Sequence, residues 1–329
     1  MKLFSLFALF ASVVVGETLQ TRETYEEVFY NWMKDHKVEF ENGREFQNRL
    51  NIFIDNDEYI NHVNSQNLPY KLAHNQFSHL TPCEFSAYNN LQPVALKKNS
   101  NNFEYTSPKR NLVSSGDEFD WTTKGAVTPV KDQAQCGSCW AFSTTGSLEG
   151  AYYLKHGHLE SFSEQNLVDC DTKDLGCNGG LMDNAFSWIK KNGGIELESD
   201  YKYTATTNRC SQDTSKLVNG SAPTSWVDVK QTNDDLLAAI QQQPVSVAIE
   251  ADQSTFQFYS SGVLTGRCGT NLDHGVLAVG YGTLDGVDYY KVKNSWGSSW
   301  GMDGYVLIER KDVKGGQCGI LMAASYPVL

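Results

Sequence analysis

Eight cysteines and seven histidines are spread along the chain so that only a few of them could work together. Seven of the cysteines follow residue 120: Cys136, Cys139, Cys170, Cys177, Cys210, Cys268 and Cys318. Seven is odd. In an oxidising compartment at most three pairs form, and one thiol is left reactive, paired with another chain, or buried and inert. Cys136 and Cys139 make a C-x-x-C, which suggests a thiol–disulfide exchange pair. That chemistry wants a preceding parallel strand, and Val130-Lys131-Asp132-Gln133-Ala134-Gln135 offers little apolar strand. The other chemistry is nucleophilic: a thiolate, a histidine to take and return a proton, and a third group to orient the histidine. Beyond residue 120 the histidines are His156, His158 and His274. His156 and His158 flank Gly157 at a helix end, where solvated imidazoles are the plainer reading, and no nearby third ligand makes them a metal site. His274 begins the apolar run Val276-Leu277-Ala278-Val279. Asn294 closes the alternating Tyr290-Lys291-Val292-Lys293, on the face of Tyr290 and Val292. Each alone reads as an ordinary strand-end residue; together with the odd cysteine they make a nucleophile, a base and an orienting amide.

These residues need elements to hold them. Cys139 to Lys155 reads as a helix with Ala141, Leu148 and Tyr152 on one face and Ser138 as its N-cap, and a helix N-terminus favours a thiolate. A short helix is expected near Ser163 to Val168. Met182, Ala185, Phe186 and Ile189 form an i, i+3, i+4, i+7 stripe over Met182 to Lys191, stopped by Asn192-Gly193-Gly194. Further on, Val245, Val247 and Ile249 alternate with Ser246, Ala248 and Glu250, and strands follow near His274, Tyr290 and Tyr305. The fold class is therefore α+β: a helical lobe over about 115–224, a β-rich lobe over about 225–329, and a cleft between them with Cys139 on one wall and His274 and Asn294 on the other.

The 329 residues allow about two structural units. Forty per cent hydrophobic and 12% aromatic residues suffice for a packed core. A net charge of -12, with no Lys/Arg run longer than two, argues against a nucleic-acid partner or a polybasic membrane anchor. Lys2 precedes an apolar run from Leu3 to Val15, too short to span a bilayer, with Val14 and Gly16 at cleavage-site spacing. Residues 1–16 thus read as a signal peptide, which permits disulfides and makes Asn219-Gly220-Ser221 an N-glycan acceptor. Residues 23–92 are polar and helical in habit with one cysteine, Cys83, and 96–119 form a Ser/Asn/Lys-rich connector. Glu45, Arg49, Phe53, Asn56, Ile60 and Asn64, spaced 4, 4, 3, 4 and 4, share one helix face, with Glu45 and Arg49 as an i,i+4 ion pair.

Taken together, Gln133 to Ser143 (Q-A-Q-C-G-S-C-W-A-F-S), Cys177-Asn178-Gly179-Gly180, Leu272-Asp273-His274-Gly275 and Asn294-Ser295-Trp296-Gly297 resemble the papain family of cysteine proteases, in its cathepsin L-like branch. The likeness runs over nearly the whole chain. It implies a two-lobed peptidase, a helical lobe beside an antiparallel β-barrel-like one, over 115–329, with a helical inhibitory pro-segment over 17–114. It makes Cys139 the nucleophile, His274 the base and later acid, Asn294 the orienting group with Trp296 shielding it, and Gln133 the oxyanion-hole amide. It assigns substrate contacts to Gly137, Gly179, Gly180, Leu181, Met182, Ala248, Leu272, Asp273, Trp296 and Ala323. The pairing it implies is Cys136–Cys177, Cys170–Cys210 and Cys268–Cys318. The short Asp171–Gly176 segment carries no histidine, which resembles endopeptidases rather than dipeptide-releasing relatives. The motif face from Glu45 to Asn64 matches the family's pro-segment helix at every position. The second pro-segment motif departs from it: Ala73-His74-Asn75-Gln76-Phe77-Ser78-His79 has Ala73 and His79 where the family has glycine and aspartate. The resemblance implies no cofactor and no metal, polypeptide substrates, the chain's own pro-segment as inhibitor, protein inhibitors of cysteine proteases as partners, a monomer, and a secretory route to a lysosome, a vacuole or the exterior.

Overall fold

The computed structural model describes residues 22–89, 91 and 117–329. The expected signal peptide, most of the connector and the expected end of the pro-segment at residue 114 lie outside the described residues. The pro-segment begins with α1 (Arg22–His36) and α2 (Gly43–Asn64), the second capped by Asn42, whose side chain accepts from the Arg44 and Glu45 amides. Phe29, Trp32, Leu50 and Phe53 make the small core between them. The polar members of the motif face tie down the chain that follows. Asn56 Nδ2 donates to Ser78 O and Leu80 O at 2.9 and 3.1 Å, and Asn64 accepts from the Leu72 amide and donates to its carbonyl at 3.0 and 2.8 Å. Arg49 does not pair with Glu45 as its spacing suggested. It reaches Glu84 at 2.8 Å, because Glu84 sits in the capping box of α3 (Pro82–Ser86), just across from it. Cys83 is exposed on that helix.

Between α2 and α3 lies β1 (Tyr70–Leu72). The peptidase then runs β2 (Phe119–Asp120), α4 (Cys139–His156), α5 (Glu164–Cys170), α6 (Met182–Asn192), β3 (Ser225–Asp228), α7 (Asn233–Gln242), β4 (Val245–Ile249), α8 (Ser254–Gln257), β5 (Tyr259–Leu264), β6 (His274–Leu284), β7 (Val287–Lys293), β8 (Tyr305–Glu309) and β9 (Ala324–Val328). The sheet order is β1-β5-β8-β7-β6-β4-β9-β3, with β2 on β6. Its pairs are antiparallel except β5–β8, where Val263 and Leu264 run parallel to Leu307 and Ile308. The first strand of the order comes from the pro-segment, Tyr70 standing opposite Gly262. The inhibitor therefore completes an edge that would otherwise offer unpaired backbone groups.

The three expected helices match their bounds closely, whereas the Ser138 cap and the burial of two strands do not. Ser138 makes no side-chain cap bond to α4, because its hydroxyl is taken by the Tyr203 hydroxyl at 2.6 Å. Strand β4 is buried on both faces rather than one. Helix α4 covers the face that its serine marks as polar, and Ser246 Oγ donates to Ser143 O at 2.8 Å. Lys293 of β7 is also buried; its ammonium donates to Thr128 Oγ1 at 3.0 Å, beside the buried pairs of Lys131 with Glu149 and Glu164 at 3.1 and 2.6 Å. A buried charge is tolerable only when it is paired, and this cluster joins the two lobes.

His79 packs inside the pro-segment rather than against the peptidase. Its ring lies 5.1 Å from that of Trp32 and 6.1 Å from that of Phe40. Burial, reinforced by the charges of Arg49 and His36 and opposed by Glu84, pushes its imidazole down to about 4. A free histidine titrates near 6.5, so the unfolded pro-segment takes up more protons than the folded one, and acid weakens the inhibitor by loosening its own fold. Stability from a neutral His79 is therefore complete above about pH 6.5 and is lost as pH falls toward 4. Self-processing of His79→Asp is expected to have a lower pH midpoint than that of the native chain. A midpoint unchanged within a few tenths of a unit, or shifted upward, removes this role.

Candidate active site

The start of α4 abuts the start of β6. A Cβ on Gly275 would lie 3.4 Å from the Cys139 carbonyl carbon and 3.3 Å from Trp140 Cα, a tight fit that glycine relieves where His274 meets the helix. Cys139 and His274 are both fully buried with the pro-segment in place. His274 Nε2 is 2.8 Å from Asn294 Oδ1. The Ser295 amide also donates to Oδ1 at 2.8 Å, which fixes the carboxamide. Nε2 must therefore carry the ring proton, so in the neutral imidazole Nδ1 is the acceptor; among the described residues no hydrogen-bond partner occupies it. The Trp296 ring stacks on His274 at 4.7 Å and is itself buried, keeping water from the His–Asn bond.

Gln133 is positioned from the opposite wall. Its amide donates to Ser295 O at 2.8 Å, and Ser295 Oγ donates to Gln133 Oε1 at 2.6 Å. With Oε1 engaged, Nε2 is turned into the cleft, where it donates to Tyr88 O of the pro-segment at 2.9 Å and to Cys136 O at 3.1 Å. Asp132 bridges Trp296 and Gly297 N donates to Lys131 O at 3.0 Å, so residues 131–133 and 295–297 stitch the walls together. Ser295 was missed as a positioning residue; its place between Asn294 and Trp296 was the available signal.

Leu181, Met182, Ala248, Leu272 and Ala323 come together in one apolar cluster, and Leu91 of the pro-segment packs into it. Leu91 N donates to Asp273 O at 2.8 Å, and Leu91 forms a parallel bridge with Gly180. Gly180 is needed there, since a Cβ would meet the Trp140 ring at 2.5 Å. Gly137 bridges Asn178, holding the glycine edge to the turn before α4. Nothing in the sequence had singled out Tyr88 or Leu91 as occupants of the cleft. Gln76 adds a further grip, with Nε2 donating to Trp296 O at 2.6 Å and Ser299 Oγ donating to Oε1 at 3.2 Å. Phe77 and Phe85 cover the Trp296 ring edge-on.

Cys136 is joined to Cys177, Cys170 to Cys210 and Cys268 to Cys318. Cys139 is in no disulfide, and Cys136 is engaged elsewhere, which disposes of the exchange pair between them. His156 and His158 are exposed, as their place at the end of α4 suggested. Among the described residues no cluster of His, Cys, Asp and Glu could hold a metal ion.

Residues 115–328 match the model of the papain family cysteine protease, and residues 29–85 match that of the cathepsin propeptide inhibitor domain. The KDEL-tailed cysteine endopeptidase CEP2 of Arabidopsis thaliana is 43% identical over all of this chain and 95% of its own length. The proform of the ragweed pollen allergen Amb a 11, a cysteine protease, superposes with a TM-score of 0.85 at 36% identity, covering 94% of this chain and 96% of that one. Digestive procathepsin L 3 of Tenebrio molitor superposes with a TM-score of 0.83 at 40% identity, over 93% of this chain and 99% of the other. The chain belongs to the papain family of cysteine proteases and is a cathepsin L-like zymogen that carries its own inhibitory propeptide.

Proposed function

We propose that the Cys139 thiolate attacks a peptide carbonyl, that Gln133 Nε2 and the Cys139 amide hold the oxyanion, and that His274 protonates the leaving amine. Water then releases the acyl group with His274 as base. The observation that carries this reading is the buried His274 Nε2–Asn294 Oδ1 bond, which leaves Nδ1 for the thiol at the adjoining end of α4. In the closed zymogen, burial pushes the His274 imidazole down to about 4 against the pull of its bond to Asn294. Opening the cleft lifts that penalty, and a thiolate beside the ring then favours the imidazolium.

The pro-segment blocks cleavage by its direction. A substrate runs from the apolar pocket towards the carbonyl held by Gln133. The pro-segment runs the other way, presenting the Tyr88 carbonyl to Gln133 first and Leu91 to the pocket three residues later. The parallel Leu91–Gly180 bridge records the reversal.

All five assigned pocket side chains are apolar, with Ala323 among them. Burying a guanidinium there without a partner is costly, so Leu, Phe or Val is the preferred residue immediately upstream of the one donating the scissile carbonyl. The three disulfides and the apolar leader suit the secretory pathway with a lysosome, vacuole or the exterior as its end, and exposed Asn219 suits a glycan. The test is hydrolysis of fluorogenic Phe-Arg and Arg-Arg peptides by the acid-processed chain. Phe-Arg is expected to be turned over at least about tenfold faster, since each 1.4 kcal/mol of mismatch costs a factor of ten. Equal turnover contradicts the pocket, and no turnover of either contradicts the mechanism.

A further inference from the structure

The loop from Cys170 to Cys177 is fixed at both ends by disulfides to Cys210 and Cys136, and it lies beneath the glycine edge of the cleft. It holds two buried acids that the mechanism does not use: Asp171 is 4% and Asp174 6% exposed. Asp171 Oδ1 accepts from the Lys173 amide at 2.9 Å. Asp174 Oδ1 accepts from the Leu181 amide at 3.1 Å and from Asn184 Nδ2 at 2.9 Å, so it holds the chain directly after Gly179-Gly180, where α6 begins. A Cβ on Gly180 would lie 2.8 Å from Asp174 Cβ, which puts this side chain immediately under the substrate edge. The other oxygen of each acid, Oδ2, is buried and meets no donor among the described residues. Each carboxyl group instead lies within hydrogen-bonding reach of the other. Two carboxylates cannot share a hydrogen bond unless one of them is protonated.

We propose that Asp171 and Asp174 form a carboxylic acid–carboxylate pair holding one proton between them, and that this proton positions the Gly179–Gly180–Leu181 edge that takes up the substrate backbone. The inference rests on the protease reading above and adds two positioning residues to it. When the shared proton leaves to solvent, two like charges face each other out of water, and the loop parts to relieve them. Asp174 then slackens its hold on the Leu181 amide, and the edge against which Gly180 pairs loses its fixed place. Lys173 is the cation that acts on the pair; its ammonium is turned to Ser187 Oγ at 3.2 Å on the surface and makes no hydrogen bond to either Oδ2. The α6 groups that face Asp174 are neutral, Asn184 and the Leu181 amide. Burial first, then the neighbouring carboxylate, pushes the Asp174 carboxyl up to about 7, and burial raises Asp171 as well. The edge is therefore firm in acid and loosens through neutrality; the pair is best described as titrating together.

Two amides separate this proton from other causes. In Asp171→Asn the new Nδ2 donates to Asp174 Oδ2 at every pH, while Oδ1 still accepts from Lys173. In Asp174→Asn the donor lies on the other partner, and Oδ1 still accepts from Leu181 and Asn184. KM and kcat are measured with an apolar peptide that has no titrating group, using enzyme processed from the full chain. From about pH 5.5 to about pH 8 the native enzyme is expected to show a KM rising by about fivefold or more, beyond any change in kcat. Asp273, on the facing wall and pushed up to about 7 by burial, titrates in the same range, so the native slope alone decides nothing. The difference decides: both amides are expected to flatten the KM profile. A slope in both amides equal to the native one overturns the proposal, as does a native KM that does not change. Failure of both to yield processed enzyme overturns it too, because each keeps every hydrogen bond of the protonated pair. A native chain that hydrolyses nothing overturns the protease reading instead.

Discussion

Replacing His274 with alanine is expected to lower peptide hydrolysis by about 10⁴-fold, at the upper end of what a positioned general acid–base supplies. The loss has two sources. No group is left to protonate the leaving amine: Asn294, whose Oδ1 held the ring, has no titrating proton to give. The thiol also loses the imidazolium that favours its ionised form, so its reactivity should move toward the ordinary thiol range near pH 8.5, short of it by whatever the end of α4 still contributes. The measurements are kcat/KM on an apolar peptide and the pH profile of alkylation at Cys139. A variant within about tenfold of native activity, or with an unshifted alkylation profile, contradicts the role given to His274.

Gln133→Ala is expected to cost about 10²–10³ in kcat, the usual price of one oxyanion donor. The same side chain makes a second effect predictable. Gln133 Nε2 donates to the Tyr88 carbonyl at 2.9 Å, so its removal also takes a hydrogen bond from the inhibited state. The added pro-segment should then bind the variant several-fold more weakly, since a hydrogen bond of this kind contributes about 1 kcal/mol net. Ser295→Ala should reproduce part of both effects, because its hydroxyl holds Oε1 and thereby aims Nε2. Loss of rate with inhibition unchanged would mean that the pro-segment does not use the oxyanion site.

The site was legible where one residue type carries the chemistry at a motif spacing. Cys139, His274, Asn294 and Gln133 were all named from sequence and all meet at one cleft. Helix α6 was read from its apolar stripe to within one residue, because its period and its glycine stop are local. What the sequence hid depends on partners far along the chain. The parallel β5–β8 pair and the pro-segment strand β1 at the sheet edge follow from which strand arrives beside which, and no local period encodes that. The burial of Lys293 was not legible either, because it rests on Thr128 and the acids near it, more than a hundred residues upstream. The expected Ser138 cap failed for a similar reason, as Tyr203 takes its hydroxyl. His79 stood out as a departure from the family motif, yet only the packing shows that it meets Trp32 and Phe40 of its own segment.

The central claim is that Cys139, shut beneath the pro-segment in the zymogen, becomes the one nucleophilic thiol when the cleft opens. Titration with a thiol-directed epoxide, before and after acid processing, tests it most directly. The account predicts one equivalent of label on Cys139 with parallel loss of peptidase activity after processing, little labelling of Cys139 before it, and none at all in Cys139→Ser freed of its pro-segment by the native enzyme. Full activity after stoichiometric labelling of Cys139, or undiminished activity in Cys139→Ser, would contradict it.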